Sequence, residues 1–280
     1  MMIRWLNPPK LLELKKYIET YWYLEKSSNV DGFEQPKLNP DPSAHLILLL
    51  ANQVYQYHFE GKSFTGKGSH WIYPHTHTFE LDHSQSFSCL GIKFKVGALY
   101  SLNKLNFSQA LLDTVAEQNI DVLLDKKVVS EKVLFNIAKS NRELCIEKLD
   151  ALFLPLISKC YEDKHSEITR QIIPLLTNKP IKQLGKELSC SQRTLERSFR
   201  KVTGLTLKQC QSINKLESIL EYLYQRKQVD IDWADIAYQF GFSDQPHLIR
   251  YLKQHIQLTP NSYAEQRGFT IDVYGGVASK

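Results

Sequence analysis

Apolar positions recur along this chain with two different periods. In residues 190–204, CSQRTLERSFRKVTG, the residues Leu195, Phe199 and Val202 stand at i, i+4 and i+7, the spacing of a helix with one narrow buried stripe. Arg193, Arg197 and Arg200 have the same spacing on the opposite side, so this helix points three forked donors outward. Further on, TLKQCQSINKLESILEYLYQRKQ carries Cys210, Ile213, Leu216, Ile219, Leu220 and Leu223 at helical spacing and predicts one long helix. The first hundred residues follow the shorter period. AHLILLLANQVYQYHF, SFTGKGSHWIYPHTHTFELDH and SFSCLGIKFKV alternate apolar, aromatic and polar residues, with EGK and TGKGS as turn signals. They predict an antiparallel sheet closed into a small barrel. LLELKKYIETYWYLE fits either a helix or a strand. From about residue 97 to 162 the pattern is helical again, in SQALLDTVAEQ, SEKVLFNIAK and LCIEKLDALFLPLI, and YEDKHSE at 161–167 reads as a hinge.

The last hundred residues contain a repeat. LGKELSCSQRTLERSFRKVTGLTL (184–207) aligns with IAYQFGFSDQPHLIRYLKQHIQLTP (236–260) at an offset of 53, with one extra residue in the second copy. Leu195 then matches Leu248, Arg197 matches Arg250, Phe199 matches Leu252 and Arg200 matches Lys253. Each copy reads as a short helix, a tight turn and a longer helix. Ser191 is the N-cap expected for the first long helix and Ser243 or Asp244 for the second. Gly241 suits a turn position with positive φ, and Pro246 falls in a first turn, where proline is tolerated. Both copies predict a helix-turn-helix, whose second helix enters a DNA major groove. Joined by a stiff connector, two such helices reach successive grooves about 34 Å apart, which requires Arg197 and Arg250 on a common outer surface.

Charge sharpens this picture. The 280 residues carry a net charge of +5. Residues 1–165 are balanced at 19 basic and 19 acidic side chains, whereas 166–215 hold 10 basic and 3 acidic. A cationic surface focused on one small domain is the footprint of a polyanion partner. With 42% hydrophobic and 23% charged residues the composition is globular, and the length predicts two domains. Five scattered cysteines without a CxxC pair indicate neither a disulfide framework nor a zinc finger. The longest apolar run, LILLLA at 46–51, is too short to span a bilayer. A cytoplasmic, nucleoid-associated protein is expected. No phosphate-binding loop, Ser-His-Asp order or paired-carboxylate motif stands out, so no catalytic residue, cofactor or enzymatic activity is expected.

LGKELSCSQRTLERSFRKVTGLT and IAYQFGFSDQPHLIRYLKQHIQLTPNSY resemble the AraC/XylS family of bacterial transcription regulators over about residues 168–266. The resemblance implies a sequence-specific regulator with double-stranded DNA as partner, RNA polymerase as a further one, and a cupin-like N-terminal domain for an unidentified effector or for dimerisation. The chain is then a monomer or homodimer. The implied base-contacting positions are Arg193, Glu196 and Arg197 in the first recognition helix and Gln245, Pro246 and Arg250 in the second. Arg193 and Arg197 suit guanine, Glu196 cytosine and Gln245 adenine. Pro246 brings no polar group, which leaves Gln245, His247 and Arg250 to discriminate. Arg200, Lys201 and Lys253 are expected on phosphates, which position without specifying. Glu196 has a rival role as an intrahelical partner of Arg193 or Arg200. The chain departs from the family pattern in having Gln257 for a glycine, Gly185 for an alanine and Lys215 for an arginine.

The expected fold is α+β. An antiparallel β-barrel-like domain with a helical extension fills 1–163, β-rich over 1–97 and helical over 98–163; an all-α double helix-turn-helix domain fills 164–268, and a tail follows at 269–280. Residues 130–160 carry surplus apolar side chains, fit for a dimer surface or for a cap on the barrel. A rival function comes from PHTH. On a strand His75 and His77 share a face, with Glu80 close behind, a set similar to cupin metal ligands; a metal-binding cupin-type enzyme or a metal sensor follows from it.

Overall fold

In the computed structural model, residues 2–26, 35–102, 110–125, 131–224, 231–257 and 259 are described. The expected tail at 269–280 lies outside them.

Ten strands among the described residues form two antiparallel sheets. The larger has the order β1 (Met2–Asn7), β2 (Ile18–Lys26), β9 (Phe87–Phe94), β4 (His45–Leu48), β7 (His70–Ile72), β10 (Val115–Glu117). The smaller has the order β3 (Lys37–Leu38), β8 (Phe79–Leu81), β5 (Val54–Phe59), β6 (Lys62–Lys67). Strand periodicity sends alternate side chains of the larger sheet to two different cores. Trp22, Leu24, Ile47, Ile72 and Cys89 face the smaller sheet and pack with Tyr55, Tyr57, Phe79 and Phe87. Tyr21, Tyr23, Leu46, Trp71 and Ile92 face the helices α1 (Leu12–Lys15), α2 (Ala98–Ser101), α3 (Ile120–Leu124), α4 (Glu131–Ser140) and α5 (Arg142–Ile157). A sheet buried on both faces needs no polar alternation, and this is why YIETYWYLE was open to two readings and resolves as strand β2. The space left among Leu38, Tyr55, Tyr57 and Cys89 is about 10 Å³, at the lower limit of what a single water needs.

Two expectations change. SQALLDTVAEQ was expected helical, yet Val115–Glu117 is a strand that pairs with β7, Val115 opposite Ile72; the open edge of β7 supplies partners that local periodicity does not report. Residues 103–109 lie outside the described set. The hinge at 161–167 is largely the start of α6 (Lys164–Leu176), because Asp163 accepts hydrogen bonds from the backbone N–H of His165 and Ser166 in a capping box. Of the segment 130–160, the described residues 131–160 form the cap: Leu134, Phe135, Cys145, Leu149 and Phe153 are buried against the sheet. Asp150 fixes that cap. Its carboxylate accepts from the backbone N–H of Lys10 and Leu11 and from the Tyr21 hydroxyl, at 2.9, 3.0 and 3.0 Å.

The C-terminal part is helical: α6, α7 (Ile181–Glu187), α8 (Gln192–Thr203), α9 (Leu207–Tyr224), α10 (Trp233–Gln239) and α11 (Gln245–Ile256). It holds two small cores. Ile172, Leu184, Leu195 and Phe199 close one with Leu207 and Cys210 from the start of α9. Leu216, Ile219, Leu220 and Leu223 from the rest of α9 close the other with Ile236, Leu248, Leu252 and Ile256. One rod therefore enters both units.

Candidate nucleic-acid interface

The two units share their local construction. Helix α7 ends in a turn through Ser189 at φ +47°, and α10 in a turn through Gly241 at φ +68°. The left-handed residue reverses the chain in both. The additional residue of the second copy falls between that turn and the cap. Ser191 accepts from the N–H of Thr194 at 3.2 Å and starts α8; Asp244, not Ser243, accepts from the N–H of His247 at 2.7 Å and starts α11, with Pro246 in its first turn. The helices close differently: α8 ends on Gly204 at φ +75°, α11 on Gln257 at φ +57°. Gly185 has a packing reason, since a Cβ there would lie 2.9 Å from the Cys190 carbonyl oxygen. Lys215 sets its ammonium 3.6 Å from the centroid of the Phe242 ring, and burial lowers its pKa.

With the apolar stripes Leu195, Phe199, Val202 and Leu248, Leu252, Ile256 buried, the polar faces stay open. Arg193, Glu196, Arg197 and Arg200 on α8 are exposed, as are Gln245, Pro246, His247, Arg250 and Lys253 on α11. Neither Arg197 nor Arg250 is packed into an interior. Glu196 does have an intrahelical partner, but it is Gln192, which donates to it at 2.9 Å. Between the units runs a cleft of about 1050 Å³ with Lys208, Lys215 and His247 on its walls.

Residues 184–266 match the family model described as a helix-turn-helix domain. The C-terminal part of the chain carries a helix-turn-helix domain. Residues 7–116 match a model described as a domain of unknown function (DUF6597). Among solved structures the chain is similar to ToxT from Vibrio cholerae O395, at 12% identity over 89% of this chain and 96% of that one with a TM-score of 0.44. It is similar to the C-terminal domain of AraT, a response regulator from Geobacillus stearothermophilus, at 18% identity over 38% and 89% with a TM-score of 0.33. A third likeness is to the AraC-like transcriptional activator CuxR, at 12% identity over 78% and 86% with a TM-score of 0.25. No curated protein matches.

Lys201, expected on DNA phosphate, also has neighbours in the N-terminal domain. Lys201, near the end of α8, lies 3.9 Å from Asp163 and 5.6 Å from the centroid of the Tyr100 ring, and Tyr100 donates to Asp163 at 2.7 Å. Hydrogen bonding to Tyr100 and the Asp163 charge raise the Lys201 ammonium above its usual range. The same seam holds Arg170 of α6, which reaches Glu162, the Lys16 carbonyl and Ser101. At its far end the Thr78 hydroxyl donates to the His255 carbonyl at 2.6 Å. None of these contacts had a signal in sequence, because the partners stand 8 to 177 residues apart.

The metal-site rival loses its geometry. Residues 74–78 form no strand beyond a single bridge between Asp41 and His75, so His75 and His77 are not paired on a sheet face. His75 is fully buried with Nδ1 on the His77 carbonyl, and burial lowers it to about 4. His77 turns to Asp113 at 3.2 Å and stacks on Phe59, while Glu80 turns to Lys37. Among the described residues no group of three or more His, Cys, Asp or Glu is placed to hold a metal. No helix among them is long and apolar enough to cross a membrane.

Proposed function

We infer that the chain is an AraC-type regulator that binds specific double-stranded DNA by docking α8 and α11 into adjacent major grooves. The observation that carries the reading is the matched exposure of Arg193 and Arg197 on one helix and Gln245 and Arg250 on the other, each held by a capped, separately cored unit on one connector. Arg193 and Arg197 read guanine, Gln245 and His247 contribute at the second site, and Arg200 and Lys253 bind phosphate. Lys201 joins them once it leaves Asp163.

The N-terminal domain governs that release. A pocket of about 70 Å³ beside Lys201 is lined by Leu99, Tyr100 and Leu111 and by Lys201 and Val202 of α8. An effector seated there touches Lys201 and Val202 of α8, so ligand binding and freeing of α8 are coupled. Selection of bound sites from random DNA, repeated across a salt series, tests the function. A reproducible motif with a steep salt slope supports it; a flat slope with no motif ends it. RNA polymerase contact and oligomeric state are then read on the selected site.

A further inference from the structure

The cleft of about 1050 Å³ between the two units has α9 along it, with the end of α6 on one side and the α10–α11 turn and a flank of α11 on the other. Thr76 is its one lining residue from the N-terminal domain. Its charge is of one sign. Among the described residues that line it none is Asp or Glu, whereas Lys208 and Lys215 both are there. Elsewhere in the C-terminal part lysines find carboxylates: Lys179 pairs with Glu187 at 2.9 Å and Lys201 lies 3.9 Å from Asp163, but among the described residues none pairs with Lys208 or Lys215. The two stand seven residues apart and so share a face of α9. Lys208 is exposed in the first turn of that helix. Lys215 is seated on rings, its ammonium 3.6 Å from the centroid of Phe242 and 5.9 Å from that of Tyr251. Tyr251 is itself fixed, because its hydroxyl donates to the Ser212 carbonyl. A ring face attracts a cation without neutralising it, which leaves the ammonium open to an anion. Beside Lys208, Gln209 Oε1 accepts from the backbone N–H and the hydroxyl of Thr206, each at 2.9 Å, and its amide N–H groups are left as further donors.

Two helices in successive major grooves leave the stretch of duplex between them, a minor groove bordered by two phosphate backbones, against whatever joins the helices. Here the joint is α9. His247 stands both on the polar face of α11 and on the wall of the cleft, so the cleft reaches the end of α11 that meets the duplex. We propose that this cleft seats the phosphodiester backbone between the two half-sites, with Lys208 and Lys215 as its cations. The site rests on the docking of α8 and α11 inferred above and adds the segment of DNA that neither helix reads. A strand that enters a cleft free of acids meets two ammonium groups and no carboxylate to repel it, and sheds counterions as it does so. Such contacts carry no base information. They fix instead the distance between the two half-sites, because both lysines are carried by the one rod that enters both cores.

The test uses the full chain and the duplex obtained by selection from random DNA. Neutral methylphosphonate linkages replace the phosphates between the two half-sites or, in a control duplex, those beyond its ends. Binding is followed by fluorescence anisotropy across a salt series for the wild type, Lys208→Gln, Lys215→Gln and the double variant. Central linkages are expected to weaken wild-type binding on the order of 10-fold and outer ones by less than about 2-fold. Each single variant should bind several-fold more weakly and lower the salt slope by about 1, with base preference unchanged. On the duplex with central methylphosphonates the double variant should bind as well as the wild type, since the lysines have lost their partners. Wild-type affinity and slope in both single variants, or equal effects of central and outer linkages, overturns the proposal. Thermal melts check that Lys215→Gln, which takes a cation off the Phe242 ring, still folds; Lys208→Gln and the modified duplexes decide without it. A chain that selects no motif removes the docking of α8 and α11 and this site with it. A chain that selects a motif but ignores the central phosphates defeats the cleft alone and leaves that docking standing.

Discussion

Arg170 and Glu162 form the ion pair that ties α6 to the N-terminal domain, and its strength is open to calculation. The guanidinium grips both oxygens of Glu162, stacks 4.7 Å from the centroid of the Tyr17 ring and reaches the Lys16 carbonyl at 3.3 Å. Tyr17 donates to the same carboxylate at 2.6 Å. Burial alone would raise Glu162, but hydrogen bonds from Tyr17, Ser166 and Arg170 outweigh it and hold the carboxyl at about 2. Holding it there in place of 4.5 is worth about 3 kcal/mol at neutral pH by linkage. Solvent still reaches 25% of Arg170 and 19% of Glu162, which screens the pair to about 1–2 kcal/mol. A lowered carboxyl stabilises above its unfolded value and fades as pH falls through its folded one. In a double-mutant cycle of Glu162→Gln and Arg170→Gln, read by urea unfolding of the full chain, a coupling of about 1–2 kcal/mol is expected at pH 7. It should shrink as pH drops from about 4.5 toward about 2. A coupling under about 0.3 kcal/mol at pH 7, or an equal one near pH 3, would refute the reasoning.

Three further outcomes follow from single sites. Arg197→Ala is expected to weaken binding to the selected DNA by about 1–3 kcal/mol and to relax one base position, whereas Lys253→Ala should weaken all sequences alike and reduce the salt slope by about 1; binding isotherms at several salt concentrations distinguish them. Gln257→Gly removes the left-handed strain at the end of α11, where Gly204 already serves α8, and should raise stability by up to about 1 kcal/mol in a thermal melt. Asp150→Ala strands two backbone N–H groups and the Tyr21 hydroxyl, with an expected loss of about 3–5 kcal/mol on urea unfolding.

The twin helix-turn-helix units were legible in the chain alone because everything that defines them is local. Caps, turns and apolar stripes lie within about fifteen residues of one another, where the helical period and the left-handed turn fix the geometry without help from distant partners. The exposure of Arg193, Arg197, Gln245 and Arg250 follows from the same period: with Leu195 and Leu248 buried, they point outward. Turn strain is local too, although Ser189 at φ +47° gave no glycine to announce it.

What the amino-acid order could not decide depends on contacts far apart in the chain. YIETYWYLE is a strand because helices cover one face of its sheet and a second sheet covers the other. TVAEQ joins an edge because β7 leaves one open, and PHTH loses its shared face because His75 is drawn to Asp41. Lys201 shows the limit most clearly: it is an ordinary charged residue on a helix until the N-terminal domain sets Tyr100 and Asp163 beside it. Local sequence determines which face a side chain takes; only the folded chain decides which charges meet there and how little water remains between them.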